Sequence, residues 1–237
     1  MIVLKEISKK FGKFQALENV NLHLKEGECV ALIGPNGCGK TTLIKSILGM
    51  VVPDSGIIYF DGKSTRGDDS YRRHIGYMPQ IGRYPDNMTI GQVVDMIRTV
   101  RNYPHATDND LFREFDLESM SSKKMRTLSG GTVQKVSATL AFLFSPKVLI
   151  LDEPTAGLDP LAAEILKQKI IAKRNEGCLI LITSHLLNEL EDLVTQVAYM
   201  QSGKLAFHEQ VDTLKLKSGH PTVSKSIIHL LKNGALS

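Results

Sequence analysis

The segment Gly34-Pro35-Asn36-Gly37-Cys38-Gly39-Lys40-Thr41 constrains this chain more than any other. It is a Gly-x4-Gly-Lys-Thr loop between two readable elements. Before it, Cys29-Val30-Ala31-Leu32-Ile33 is an unbroken apolar run of strand length. After it, Leu43, Ile44, Ile47 and Leu48 recur at helical spacing, which predicts a helix over 41–50. Glycines let the backbone curl so that successive N–H groups face inward, and the start of the helix adds unpaired donors and a positive dipole end. That geometry suits phosphate oxygens. Gly34, Asn36, Gly37, Cys38, Gly39 and Thr42 are the expected cradle. Lys40 supplies a point charge at the β- and γ-phosphates, and the Thr41 hydroxyl is a hard oxygen ligand suited to Mg²⁺.

A second site follows from Val148-Leu149-Ile150-Leu151-Asp152-Glu153-Pro154, a buried strand that ends in two acids. Parallel strands present ligands at their carboxyl ends, so Asp152 is expected beside the phosphate loop, holding Mg²⁺ through its water shell. Glu153 is aimed differently and is placed to orient or deprotonate an attacking water. Taken alone, two acids after a strand also describe a solvated turn with a helix cap. The phosphate loop in the same chain favours the metal reading.

The rest of the chain reads as β-rich, then βα, then helical, then βα again. Val20 to Leu24 alternates, Ile57 to Phe60 enters a hairpin at Asp61-Gly62, and Ile75 to Met78 is a short strand stopped by Pro79. Helical periods then run through Ile90–Val100, Leu111–Phe115 and Val133–Phe144. Alternation returns with strands at 148–151, 179–183 and 197–201 and helices near 161–174 and 186–193. The order predicts an α/β fold, a parallel-sheet core with an antiparallel β subdomain and an inserted α-helical subdomain. The expected domains are 1–80, the first part of the core; 81–145, the helical insertion; 146–211, the second part of the core; and 212–237, a tail with little pattern.

Composition limits the alternatives. The 237 residues are 42% hydrophobic and 23% charged, which suits a packed core and argues against disorder. A net charge of +4 is too mild for a dedicated nucleic-acid surface. No run approaches 18 apolar residues and the first residues lack a signal-peptide pattern, so any membrane role is expected to pass through a partner. Cys29, Cys38 and Cys178 are too few and too scattered for a disulfide framework or a zinc site, which suits a reducing compartment.

Further stretches carry a family resemblance. Leu128-Ser129-Gly130-Gly131 is a Leu-Ser-Gly-Gly signature; Gln80 ends Tyr77-Met78-Pro79-Gln80; Ala156-Gly157-Leu158-Asp159 follows the acids; and His185 ends Ile182-Thr183-Ser184-His185. Together with the phosphate loop, this ordered set over about residues 1–210 resembles the ATP-binding-cassette ATPases. The resemblance implies a P-loop NTPase core that hydrolyses ATP with Mg²⁺. It implies that two copies face head to tail around two nucleotides, with Ser129, Gly130 and Gly131 of one copy meeting the nucleotide held by Lys40 of the other. Gln80 is then expected to reach both Mg²⁺ and the attacking water, His185 to sense the γ-phosphate, and Asp159 to lie at the dimer seam or simply to cap the helix that begins at Pro160. An aromatic, Phe11 or as second choice Phe14, is expected to stack on adenine, with a core phenylalanine as the less favoured alternative.

Two departures stand out. Thr132 occupies the position where relatives carry Gln after the signature, with Gln134 and Lys135 further on. Cys38 replaces the usual small residue of the loop, and both an acidified thiol and a packing role are open for it. A cassette without spans of its own looks like the separate ATPase subunit of a transporter, on the cytoplasmic face of the inner membrane and attached to a permease. Residues 128–138 and 183–193 look similar to the ATPase subunits of nitrous-oxide-reductase maturation transporters, a system linked to copper-site assembly. The alternatives are a general drug or lipid exporter and a soluble, non-transport cassette ATPase.

Overall fold

The computed structural model describes residues 1–103, 105–184 and 191–232. They fall into two compact units, one of residues 1–72 with 179–237 and one of residues 73–178.

The first unit opens with β1 (Ile2–Phe11), β2 (Phe14–Leu24), β3 (Cys29–Ile33), α1 (Lys40–Ile47), β4 (Ser55–Phe60) and β5 (Lys63–Ser64). The first two strands, β4 and β5 make an antiparallel sheet in the order β2-β1-β4-β5. Val20, Leu22 and Leu24 of β2 alternate inward, as a sheet with one solvated face requires. In β1 the register shifts between Leu4 and Ile7, where Glu6 adopts φ +54°. That bulge changes the parity of the strand, so Ile2, Leu4 and Ile7 all stay buried.

The second unit supplies β6 (Ile75–Met78), α2 (Ile90–Arg101), α3 (Asp110–Glu114), α4 (Gly130–Phe142), β7 (Val148–Asp152) and α5 (Pro160–Asn175). Strands β6 and β7 pair in parallel, with Met78 opposite Leu151, and the helices α2, α3 and α4 lie in the connection between them. This is the helical insertion that the periodicity predicts. Helix α2 starts on a reciprocal cap: the Thr89 hydroxyl accepts from the Gln92 N–H, and the Gln92 side chain accepts from the Thr89 N–H.

The chain returns to the first unit with β8 (Leu179–Thr183), β9 (Gln196–Gln201), β10 (Lys204–Gln210), α6 (Val211–Ser218) and α7 (Val223–Lys232). There β3 lies between β8 and β9 and pairs in parallel with both, while β10 adds an antiparallel edge to β9. Every residue of β3 and β8 is buried, which is why both read as unbroken apolar runs. Helices α6 and α7 fall in the segment expected as a tail with little pattern. They bury Val211, Leu214, Val223 and Ile227, and Glu191 ties them down by pairing with Lys215 at 2.8 Å and accepting the Val223 N–H. The helix expected near 186–193 falls mostly outside the described residues. Among the described residues no helix is long and apolar enough to cross a membrane.

Candidate functional site

The phosphate loop lies between β3 and α1 in the first unit. Gly34 and Gly39 take φ +151° and +108°. A Cβ on Gly34 would sit 2.1 Å from the Met200 carbonyl oxygen, and one on Gly39 2.4 Å from that of Ala16. Only glycine lets the loop seat against β2 and β9 in this shape. Lys40 Nζ donates to the carbonyls of Gly34 at 2.7 Å and Pro35 at 3.1 Å, which holds the ammonium over the loop. The N–H of Leu43 bonds back to Gly39 at 2.9 Å, so the amides before it are the N-terminal donors of α1. Thr41 is exposed, and among the described residues its hydroxyl has no hydrogen-bond partner. A curled glycine backbone, a cation and a helix start fit the phosphates of a nucleotide. The Thr41 hydroxyl, Asp152 carboxylate and Gln80 amide are hard oxygen donors of the kind Mg²⁺ takes.

Cys38 is 3% exposed, with its sulfur 3.8 Å from Lys40 Nζ, and it packs under the loop. Phe11 and Phe14 pair across the turn of the first hairpin and are 50% and 58% exposed. Neither is a core residue, and Lys9 Nζ lies 5.5 Å from the centre of the Phe11 ring.

The second unit carries Gln80, Asp152, Glu153, the signature and Asp159. Asp152 ends β7 and Gln80 lies two residues past the end of β6, so both leave the same carboxyl edge of this strand pair. Burial, and then the Asp152 charge, push the Tyr77 hydroxyl above its ordinary pKa. Glu153 has φ +52° and precedes a proline. A non-glycine residue in that region costs on the order of 1–3 kcal/mol, and a following proline restricts it further. Its carbonyl oxygen accepts from the Ala156 N–H at 3.1 Å and from Gln134 Nε2 at 3.3 Å.

Ser129 caps α4: its hydroxyl oxygen accepts from the Thr132 N–H at 3.3 Å and lies 2.9 Å from the Thr132 hydroxyl. Thr132 therefore closes the cap locally. Gly130 is exposed with open space around it. Gly131 faces the loop after β7, and a Cβ there would approach the Gly157 carbonyl oxygen to 2.7 Å. Asp159 caps α5 by accepting from the Ala162 N–H at 2.9 Å, and its other oxygen pairs with Lys135 Nζ at 2.7 Å. The Lys135 ammonium, then the Ala162 bond, hold the Asp159 carboxyl below the usual range. His185 lies outside the described residues. Sequence reasoning gave Gln134 and Lys135 no role. The signal was available in their spacing: they stand three and four residues after Gly131, on the face of α4 that meets the 153–159 loop.

Residues 17–156 match the family model described as ABC transporter. The chain is 32% identical over 212 residues to the lantibiotic transport ATP-binding protein SrtF of Streptococcus pyogenes, covering 90% of this chain and 92% of that protein. The structure of an ATP-binding subunit of an ABC transporter superposes with a TM-score of 0.87 at 29% identity, over 98% of this chain and 99% of that one. A dimeric ATP-binding cassette in a post-hydrolysis state, bound to ADP and Pi, matches with a TM-score of 0.77 at 28% identity, over 89% of this chain and 99% of that one. With a phosphate loop, a two-acid strand end and a capped Leu-Ser-Gly-Gly helix in one chain of that fold, this protein belongs to the ABC transporter family as an ATP-binding subunit, an ATPase whose hydrolysis is coupled to transport.

Proposed function

We propose that this chain pairs head to tail with a second copy around two MgATP and drives a separate membrane permease from the cytoplasmic face of the inner membrane. The observation that carries this reading is the strand–loop–helix of residues 29–47, whose Gly34 and Gly39 admit no side chain and whose Lys40 ammonium sits over the loop. Gly34, Asn36, Gly37, Cys38, Gly39, Lys40, Thr41 and Thr42 take the phosphates, and Phe11, exposed at its hairpin end, stacks on adenine. Thr41, Gln80 and Asp152 hold Mg²⁺, which when bound neutralises charge on the β- and γ-phosphate oxygens. Glu153 orients and deprotonates the attacking water, assisted by Gln80 and His185. Ser129, Gly130 and Gly131 meet the nucleotide of the other copy, and Asp159 lies at the seam while capping its helix. The dimeric relative bound to ADP and Pi supports the pairing. In domain terms, 1–80 and 146–211 form the ATP-binding core, 81–145 carries the signature, and 212–237 is an appendage.

Two cargo classes follow. The resemblance of residues 128–138 and 183–193 to nitrous-oxide-reductase maturation ATPases supports a role in copper-site assembly. The likeness to a lantibiotic transport protein supports peptide export. Co-expression with a candidate permease, first sought in the neighbouring genes, tests the core proposal. The two should co-purify, and ATP turnover should depend on the pair. Loss of nitrous-oxide reductase copper loading on deletion selects the first cargo, and sensitivity to an exported peptide selects the second. A chain that binds no membrane protein and turns over ATP alone would favour the soluble, non-transport alternative.

A further inference from the structure

We propose that Gln134 is a positioning residue for Glu153, tying the signature helix of a chain to the orientation of that chain's own catalytic acid. The inference rests on the reading of Glu153 as the residue that activates water. Gln134 is a polar side chain only 5% exposed, on a helix that also buries Val136, Ser137, Ala138, Thr139, Ala141 and Phe142. A buried amide is retained at little cost only when it is hydrogen-bonded. Its Nε2 donates to the Glu153 carbonyl oxygen at 3.3 Å.

The acceptor is unusual. Glu153 holds φ +52° before Pro154, a conformation that glutamate rarely adopts and that a following proline restricts. Such a conformation persists where the surroundings over-determine it. Among the described residues, two donors converge on the Glu153 carbonyl. The Ala156 N–H, at 3.1 Å, comes from within the same turn and moves with it. The Gln134 amide comes from α4 and fixes the peptide plane from outside. Anchoring that carbonyl helps to hold the backbone from which the Glu153 side chain departs. The same helix grips the rest of the loop, through Gly131 against the Gly157 carbonyl and Lys135 against Asp159 at 2.7 Å. A shift of the first turns of α4 is thereby passed to Glu153 through a specific hydrogen bond.

Gln134→Leu keeps the volume and removes the donor. In the full chain, kcat for ATP should fall roughly 10–100-fold, the range seen when an orienting partner is lost, with KM for ATP within about twofold. The decisive measurement repeats the substitution in a Glu153→Gln background, read by single-turnover hydrolysis with enzyme in excess. Without a carboxylate to aim, Gln134→Leu should cost little more there. Gln134→Met, unbranched and of similar size, is read in the same way if the Leu variant does not fold. An equal fold loss in both backgrounds would mean that Gln134 only supports packing and would overturn the proposal. So would wild-type kcat in the Leu and Met variants while Glu153→Gln is inactive. Wild-type hydrolysis by Glu153→Gln would instead remove the reading of Glu153 on which the proposal rests.

Discussion

At the phosphate loop the energetics come down to one ammonium held over a glycine backbone. Lys40→Ala removes a charge-assisted contact worth roughly 1.5–3 kcal/mol, so MgATP affinity should fall by about 10- to 150-fold. Calorimetric titration measures it, and unchanged affinity would take the loop out of nucleotide binding. This loop was legible in the sequence because eight consecutive residues specify it and both flanking elements announce themselves. Cys38 was not, since a thiol beside a helix start supports both reactivity and packing on paper; at 3% exposure it packs. Cys178 permits a sharper expectation. Burial pushes its thiol up to about 12, against the opposing pull of Lys173, and the thiol donates to the Pro146 carbonyl at 3.4 Å. At pH 8 its thiolate fraction should be on the order of 10⁻⁴. Iodoacetamide followed by mass spectrometry should leave Cys178 unmodified in the native chain and modify it in urea. Rapid labelling of the native protein would show that this segment opens readily. Gln134 is legible only in part: its spacing after Gly131 places it on the face of α4 that meets the 153–159 loop, but its partner is a backbone carbonyl 19 residues away, which no side-chain pattern encodes.

Among the elements, β3, β7 and β8 were legible because strands covered on both faces need apolar residues at every position. Helices α6 and α7 were not. They are short, and Ser218 and Ser226 occupy buried positions where apolar residues would complete the stripe, satisfying each other at 2.8 Å instead. The attachment of α5 was equally hidden, since it depends on charges 61 residues apart in the chain. Asp108, 8% exposed in its side chain, pairs with Lys169 at 2.7 Å and Lys173 at 3.3 Å, while Asp110 and Glu176 take the other sides of these lysines. Asp108→Ala leaves each lysine one remaining partner, so the loss should be about 1–3 kcal/mol rather than that of a fully stranded charge. A lower urea midpoint at unchanged slope is the expected result. The pH dependence has a definite sign. Burial works to lower the Lys173 pKa, and its bonds to Glu176 and Asp108 outweigh that, leaving it above the ordinary lysine value. A raised folded pKa stabilises fully below the unfolded value and fades as pH rises through the folded one. The wild-type advantage over Asp108→Ala should therefore hold through neutral pH and shrink in strong alkali, as Lys173 loses its proton. A difference that vanished between pH 6 and 8 would assign the effect to other groups.

For the whole molecule, the head-to-tail pairing comes from family resemblance, because nothing in one chain's periodicity states whose nucleotide Ser129 meets. The dimeric relative with ADP and Pi makes the pairing testable here. Glu153→Gln keeps the shape of the side chain and can still hydrogen-bond water, but cannot serve as a base. Hydrolysis should fall by roughly 10²–10⁴ while MgATP binding survives, because Lys40, Thr41 and Asp152 are untouched. ATP would then persist between two copies. A ligand that binds only the paired state shifts a weak monomer–dimer equilibrium by mass action, by about 2.7 kcal/mol when present at 100 times its dissociation constant. Size-exclusion chromatography with light scattering, at equal protein concentration with ATP, with ADP and without nucleotide, reads this directly. Dimer with ATP alone is the expected result, and it would support the proposed closure on ATP and opening after hydrolysis. Dimer in all three conditions would mean that pairing does not report the nucleotide. An inactive variant that stays monomeric with ATP would shift the closing contacts to the permease, with Glu153 still catalytic. Hydrolysis at the wild-type rate would leave the left-handed backbone at Glu153 without a catalytic purpose.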